Sequence, residues 1–150
     1  MSDLRLEPLS AATIAAAHSL ALRPGQEQYI APVSYSIAEP LLDPSTSWPR
    51  VVVDGDTVVG YIMGHFDPEH PKEEFRSVLW RINVDGDAQQ SGIGTFAAHA
   101  LAEEARQRGF DRLTVIWDGG DEGPERFFLS VGFRPIGETE YGEVLGALEL

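Results

Sequence analysis

The chain has 150 residues, 43% hydrophobic and 23% charged, the composition of one globular domain with a sizeable core rather than of a disordered or fibrous chain. It has no cysteine, which removes disulfides, thiolate metal sites and cysteine nucleophiles together. Lys and Arg number 11 against 24 Asp and Glu, and the formal net charge of −13 repels nucleic acid while suiting either a cationic small substrate or plain solubility. No apolar run approaches a membrane span, and Met1-Ser2-Asp3 opens a polar segment unlike a secretory leader, so a cytoplasmic protein without a membrane partner is expected.

Leu4 and Leu6 alternate with Arg5 and Glu7 as a short first strand closed by Pro8. Ser10 is a fair N-cap for a helix over Ala11 to Leu22, with Ile14, Ala17 and Ala21 on one stripe and His18 beside it. Arg23-Pro24-Gly25 breaks that helix, and Ser34 to about Leu42 reads as a second helical segment that Pro40 kinks or ends early. A strand is expected from Pro49 over Arg50 to Val53, a tight turn at Asp54-Gly55, and a returning strand from Thr57 to Phe66 in which Gly60 and Gly64 mark bulges or close approaches. Asp67 to Glu74 is a polar loop broken by Pro68 and Pro71.

Val78, Trp80, Ile82 and Val84 alternate with Leu79, Arg81 and Asn83 as a mostly buried strand. A loop with Gly86, Gly92 and Gly94 follows, then a helix from about Thr95 on which Phe96, Ala97, Ala100, Leu101 and Ala105 share a face, stopped by Gly109. Leu113, Val115 and Trp117 alternate as the next strand, so this unit predicts parallel strands joined by a crossover helix. Asp118 to Gly123 is an open loop, and Pro124 suits the first turn of a short helix over Glu125 to Val131. Strands from Phe133 to Ile136 and from Gly142 to Leu150 complete the chain.

The glycine loop suits anion capture. Gly92 and Gly94 let a ligand approach the backbone, and the first N–H groups of the helix point outward at the positive end of its dipole, where a phosphate is held mainly by main chain. A tight strand-to-helix turn explains the glycines equally well when they are considered alone.

Gln89-x-x-Gly92-x-Gly94, set between a hydrophobic strand and an amphipathic helix, resembles the acetyl-CoA loop of the GNAT superfamily of N-acetyltransferases, and Phe127-Phe128-Leu129-Ser130-Val131-Gly132-Phe133 is similar to its closing motif. Pro24-Gly25-Gln26-Glu27, Tyr29-Ile30-Ala31-Pro32, Tyr35-Ser36-Ile37-Ala38-Glu39 and Leu79-Trp80-Arg81 with Val84-Asp85 resemble the spermine/spermidine (diamine) acetyltransferase group within it. The resemblance implies an α/β GNAT acyltransferase fold: a single domain with a central mixed, twisted sheet flanked by helices. It implies acetyl-CoA as co-substrate and a small-molecule amine, such as a polyamine, as acceptor. It places Gln89, Gln90, Ser91, Gly92, Ile93, Gly94 and Thr95 on the phosphates, Ile82, Asn83 and Val84 beside pantetheine, and Tyr29, Tyr35 and Glu39 in the acceptor pocket. A homodimer is a further expectation.

The chain departs from the family pattern in two places. Many relatives carry Arg or Lys where Gln90 and Ser91 stand, so Arg126 on the short helix is the replacement cation. The tyrosine that relatives place four residues before the Gly-Phe glycine is Phe128, which can pack on the cofactor but has no proton, and the upstream Asn and Ala are Asp121 and Pro124. Either the thiolate leaves unassisted, or another residue such as Tyr141 serves as acid, or catalysis is weak or absent. Spacing selects no base among Glu39, Glu73, Glu74 and Glu143, with His65 and His99 as weaker candidates; Glu39 and Tyr141 stand as the catalytic candidates. No metal site is expected. Two rival readings remain, a non-catalytic CoA-binding sensor or regulatory module and an acetyltransferase of peptide or protein amines.

Overall fold

The computed structural model describes residues 4–8, 45–84, 92–117, 124–139 and 142–150. The helices expected over Ala11 to Leu22 and Ser34 to Leu42 lie outside the described residues, as does the loop from Asp118 to Gly123. Seven strands form one mixed sheet: β1 (Leu4–Pro8), β2 (Ser47–Asp54), β3 (Thr57–Phe66), β4 (Ser77–Val84), β5 (Arg112–Trp117), β6 (Arg134–Glu138) and β7 (Val144–Glu149), in the spatial order β1-β2-β3-β4-β5-β7-β6. Among the described strands only β4 and β5 pair in parallel; their connection carries helix α1 (Ile93–Gln107), and α2 (Glu125–Val131) lies in the connection from β5 to β6.

Local chemistry accounts for most boundaries. The Asp54-Gly55 turn joins β2 to β3 with Asp54 opposite Thr57. Helix α1 ends as Gly109 predicts: Gly109 has φ +91°, its N–H bonds to Arg106 O at 3.0 Å, and Phe110 N–H reaches Ala105 O at 3.1 Å, the bond pair of a Schellman end. The Gly132-Phe133 pair ends α2 in the same way, with Phe133 N–H on Phe128 O at 3.1 Å and the Phe133 ring fully buried.

Several expectations shift. Strand β2 starts at Ser47 rather than at Pro49; the ladder with β1 stops at the pair Pro8–Arg50, so Pro49 sits where the strand has a described neighbour on one side only and its missing N–H is tolerated. Helix α1 starts at Ile93, which takes Ile93 and Gly94 out of the expected loop, and its buried stripe is Ile93, Gly94, Ala97, Ala98, Leu101, Ala102 and Ala105, with Phe96 and Ala100 half-buried. The polar loop contains a 3-10 turn at Glu73–Phe75. Strand β6 spans Arg134–Glu138 and β7 begins at Val144, two residues after Gly142.

One core lies on the helix-bearing face of the sheet. Val52, Ile62, Phe66, Leu79, Leu113, Val115 and Trp117 from the strands meet Ala97, Leu101 and Ala105 of α1 and Phe128 and Val131 of α2. The opposite face buries Val51, Val53, Tyr61, Met63 and Val78. At the C-terminal end of α1, Arg108 lies over the Phe66 ring at 4.4 Å and pairs with Glu104, while Arg50 lies over Trp48 at 4.2 Å. Burial lowers the Arg50 pKa, opposed by the field of Glu104.

Candidate active site

The site is built where β4 and β5 stop being neighbours. Their ladder consists of the pair Val78–Thr114. Beyond it β4 continues to Val84, held on its other side by β3 as far as Gly60–Val84, and β5 continues to Trp117, held by β7 as far as Trp117–Val144. Each strand is secured from outside while the two diverge. Beyond that pair the two strands are no longer registered against each other along their described residues.

The cause is local. Met63 of β3 pairs with Arg81 while Gly64 pairs with Leu79, so Trp80 is an extra residue on β4, a bulge two positions past Val78. The bulge overturns the simple alternation expected for this strand: Leu79 and Ile82, three apart, both join the helix-side core, which an unbroken strand forbids. Trp80 is 38% exposed and its ring lies 5.6 Å from that of His65, with the Arg81 guanidinium 5.4 Å above it. The signal was present in the sequence as apolar residues at both Leu79 and Ile82, a spacing that fits neither face of a regular strand.

At the open end of the gap stands the start of α1. Gly92 is the N-cap, at φ +76° and ψ 11°, with no side-chain cap and no acidic residue in the first turn. The positive φ requires glycine, and a side chain there would enter open space. No described side chain caps the first-turn N–H groups, which lie at the positive end of a 15-residue helix. Gly94 serves another purpose: a Cβ would lie 3.0 Å from the Phe127 ring and 3.6 Å from Val84, so its absence lets α2 and β4 close on α1. Uncapped amides beside a gap between strand edges fit a chain that carries phosphates at one end and amides along its arm.

The other predicted residues divide clearly. Ile82 and Val84 are half-buried on β4 and Asn83 is 1% exposed; Thr95 is half-buried in the first turn of α1. Arg126 is exposed, immediately before the Phe127 that touches Gly94, and has no partner among the described residues. Phe128 is 5% exposed, stacked on Trp117 at 5.3 Å and edge-on to Phe133 at 5.8 Å, so its ring is a core contact. Trp117 is further held by its indole N–H, which donates to Glu125 at 2.9 Å. Gln89, Gln90, Ser91, Tyr29, Tyr35, Glu39 and Tyr141 lie outside the described residues.

The carboxylates considered as bases also separate. Glu73 and Glu74 precede β4, and the Thr114 hydroxyl donates to Glu74 O at 2.6 Å, which puts both at the closed end of the gap. Glu143 precedes Val144, the partner of Trp117, and therefore stands at the open end; its N–H and carboxylate bond the Thr139 hydroxyl. His99 bonds Val131 O at 3.1 Å and bridges the two helices, a structural role. No group of three or more metal-binding side chains occurs among the described residues.

The model of the acetyltransferase (GNAT) family matches residues 14–133. No curated protein matches the chain at a significant level. Among solved structures, an acetyltransferase from Thermus thermophilus is 20% identical with a TM-score of 0.70, covering 98% of this chain and 97% of its own. The GNAT domain of S. lividans PAT is 14% identical with a TM-score of 0.75, covering 99% and 90%. A GNAT family acetyltransferase from Elizabethkingia anophelis with acetyl-CoA bound is 14% identical with a TM-score of 0.69, covering 99% of both chains. At these identities the structures speak for the fold, and the family model spans most of the sequence: the chain belongs to the acetyltransferase (GNAT) family.

Proposed function

We propose that this chain, an acyltransferase by family, moves the acetyl group of acetyl-CoA onto a primary amine, with a polyamine such as spermidine or spermine as acceptor. The observation that carries the reading is the single Val78–Thr114 pair between β4 and β5, with the uncapped start of α1 at the open end of the resulting gap. Bound acetyl-CoA supplies the activated acyl group and the thiolate leaving group. The first-turn N–H groups from Gly92 to Thr95, with Gln89, Gln90 and Ser91 ahead of them and Arg126 as cation, hold its phosphates. The β4 segment of Ile82, Asn83 and Val84 lies along the pantetheine arm.

Acetyl transfer needs a neutral amine, so a carboxylate takes its proton directly or through water: Glu39, which the family resemblance assigns with Tyr29 and Tyr35 to the acceptor, or Glu143 at the open end. Phe128 has no proton to give, so the thiolate leaves unassisted or receives one from Tyr141. The polyamine acceptor is supported by the net charge of −13 and by the segments Pro24 to Glu27, Tyr29 to Pro32 and Tyr35 to Glu39. Within this reading the enzyme works in the cytoplasm on a small molecule, without nucleic acid or membrane partners. Light scattering tests whether it is a homodimer.

Incubation of the purified chain with acetyl-CoA and a panel of primary amines that includes spermidine and spermine is expected to release CoA and give a singly acetylated product by mass spectrometry. CoA binding by calorimetry without product from any amine selects the second reading, a CoA-binding module without catalysis, which the core burial of Phe128 favours.

A further inference from the structure

A groove of about 260 Å³ lies at the closed end of the β4–β5 pair, between the β3–β4 connection and the turn from α1 to β5. Its walls include Glu73, Arg76, Ser77, Phe110, Asp111 and Arg112. Two guanidiniums and two carboxylates thus share one small space, yet none of the four makes an ion pair with another described residue. Arg76 is held back by its Nε, which donates to His70 O at 2.8 Å. Among the described residues, two buried donors of wall residues have no hydrogen-bond partner: Arg112 Nε and the hydroxyl of Ser77, a residue only 4% exposed. Buried polar groups of this kind normally have a protein, water or ligand partner.

We propose that this groove binds a small zwitterion, an α-amino acid or a molecule with the same adjoining ammonium and carboxylate. Charge balance selects the class. A simple anion drawn to Arg76 and Arg112 meets Glu73 and Asp111, and a simple cation meets the reverse. A ligand with both charges answers both pairs, with the Arg fork suited to the carboxylate. Phe110, half-buried and stacked on Phe66 at 5.8 Å, provides an apolar wall for a short side chain. The volume falls below the ~300–1,000 Å³ of drug-sized pockets, which suits a ligand of this size. The proposal is independent of acyl transfer, and its test contains no acetyl-CoA.

Amide chemical shifts of the isotope-labelled protein are followed during titration with L-serine, and separately with acetate and with ethylamine. L-serine is expected to move the amides of Ser77 and Gly109 to Arg112 in a saturable way at millimolar concentration, and neither acetate nor ethylamine alone to do so. Arg112→Gln and Glu73→Gln are each expected to weaken binding by tenfold or more with thermal melting unchanged; Glu73, exposed on its turn, keeps the test open if Arg112→Gln fails to fold. Absence of saturable shifts with L-serine, equal shifts with acetate, or unchanged binding in Glu73→Gln overturns the proposal.

Discussion

Strand β5 has two neighbours and treats them differently. Against β7 it forms six register pairs, from Arg112–Glu149 to Trp117–Val144; against β4 it forms one. The closed side is a continuous antiparallel ladder in which the Trp117 ring packs over Gly146, where a Cβ would come within 2.4 Å of it. The open side is interrupted by an extra residue, Trp80, and flanked at its far end by α1 and α2, which meet at Gly94 and Phe127. A sheet that stays whole through its outer pairings can leave one internal gap without falling apart, and that gap is where the proposed ligand would lie. The proposed site is thus marked by where the described ladder stops.

The comparison can be broken from either side. Gly146→Val attacks the closed side by forcing a side chain into Trp117, and it is expected to destabilise the protein by about 3 kcal/mol, measured by urea denaturation. A loss under 1 kcal/mol shows that the closed ladder does not depend on that contact. Deletion of Trp80 attacks the open side. It removes the bulge while keeping Ile82 opposite Ile62, and acyl transfer is expected to fall on the order of 100-fold with circular dichroism preserved, because the strand edge proposed to lie along the ligand moves. Activity near that of the parent sinks the link between the bulge and the site.

Two smaller effects sharpen the contrast. Gly92→Ala leaves room for the methyl group but imposes a left-handed conformation on alanine, at a cost of roughly 1–2 kcal/mol. With these amides holding the phosphates as proposed, the expected result is a raised KM for acetyl-CoA that exceeds the change in kcat; a change in kcat alone contradicts that role. Arg106→Ala removes the pair with Glu103 on the far side of α1. Both side chains are 53% exposed, and stability is expected to change by no more than about 0.5 kcal/mol.

Much of this architecture is legible from the residues because its signals are local. The Asp54-Gly55 turn, the end of α1 at Gly109 and the short helix after Pro124 depend on neighbours a few positions away, and each stands where composition predicts it. The family of the site was equally readable, since Gln89-x-x-Gly92-x-Gly94 between a strand and a helix is a pattern in one dimension. Strand ends were less so: Pro49 reads as a start, yet it lies inside β2 because the absence of a described neighbour on one side is a property of the sheet.

The sequence by itself determined which described segments are strands and which are helices, the Asp54-Gly55 turn and the helix end at Gly109, because backbone sterics and apolar spacing act over a turn or a few residues. Only the tertiary structure decided that Trp80 is an extra residue in β4, that β7 comes between β5 and β6, that Phe128 belongs to the core, and that Glu143 rather than Glu73 or Glu74 stands at the open end. Those outcomes depend on register and on which surfaces meet, and register is set by packing between segments far apart in the chain.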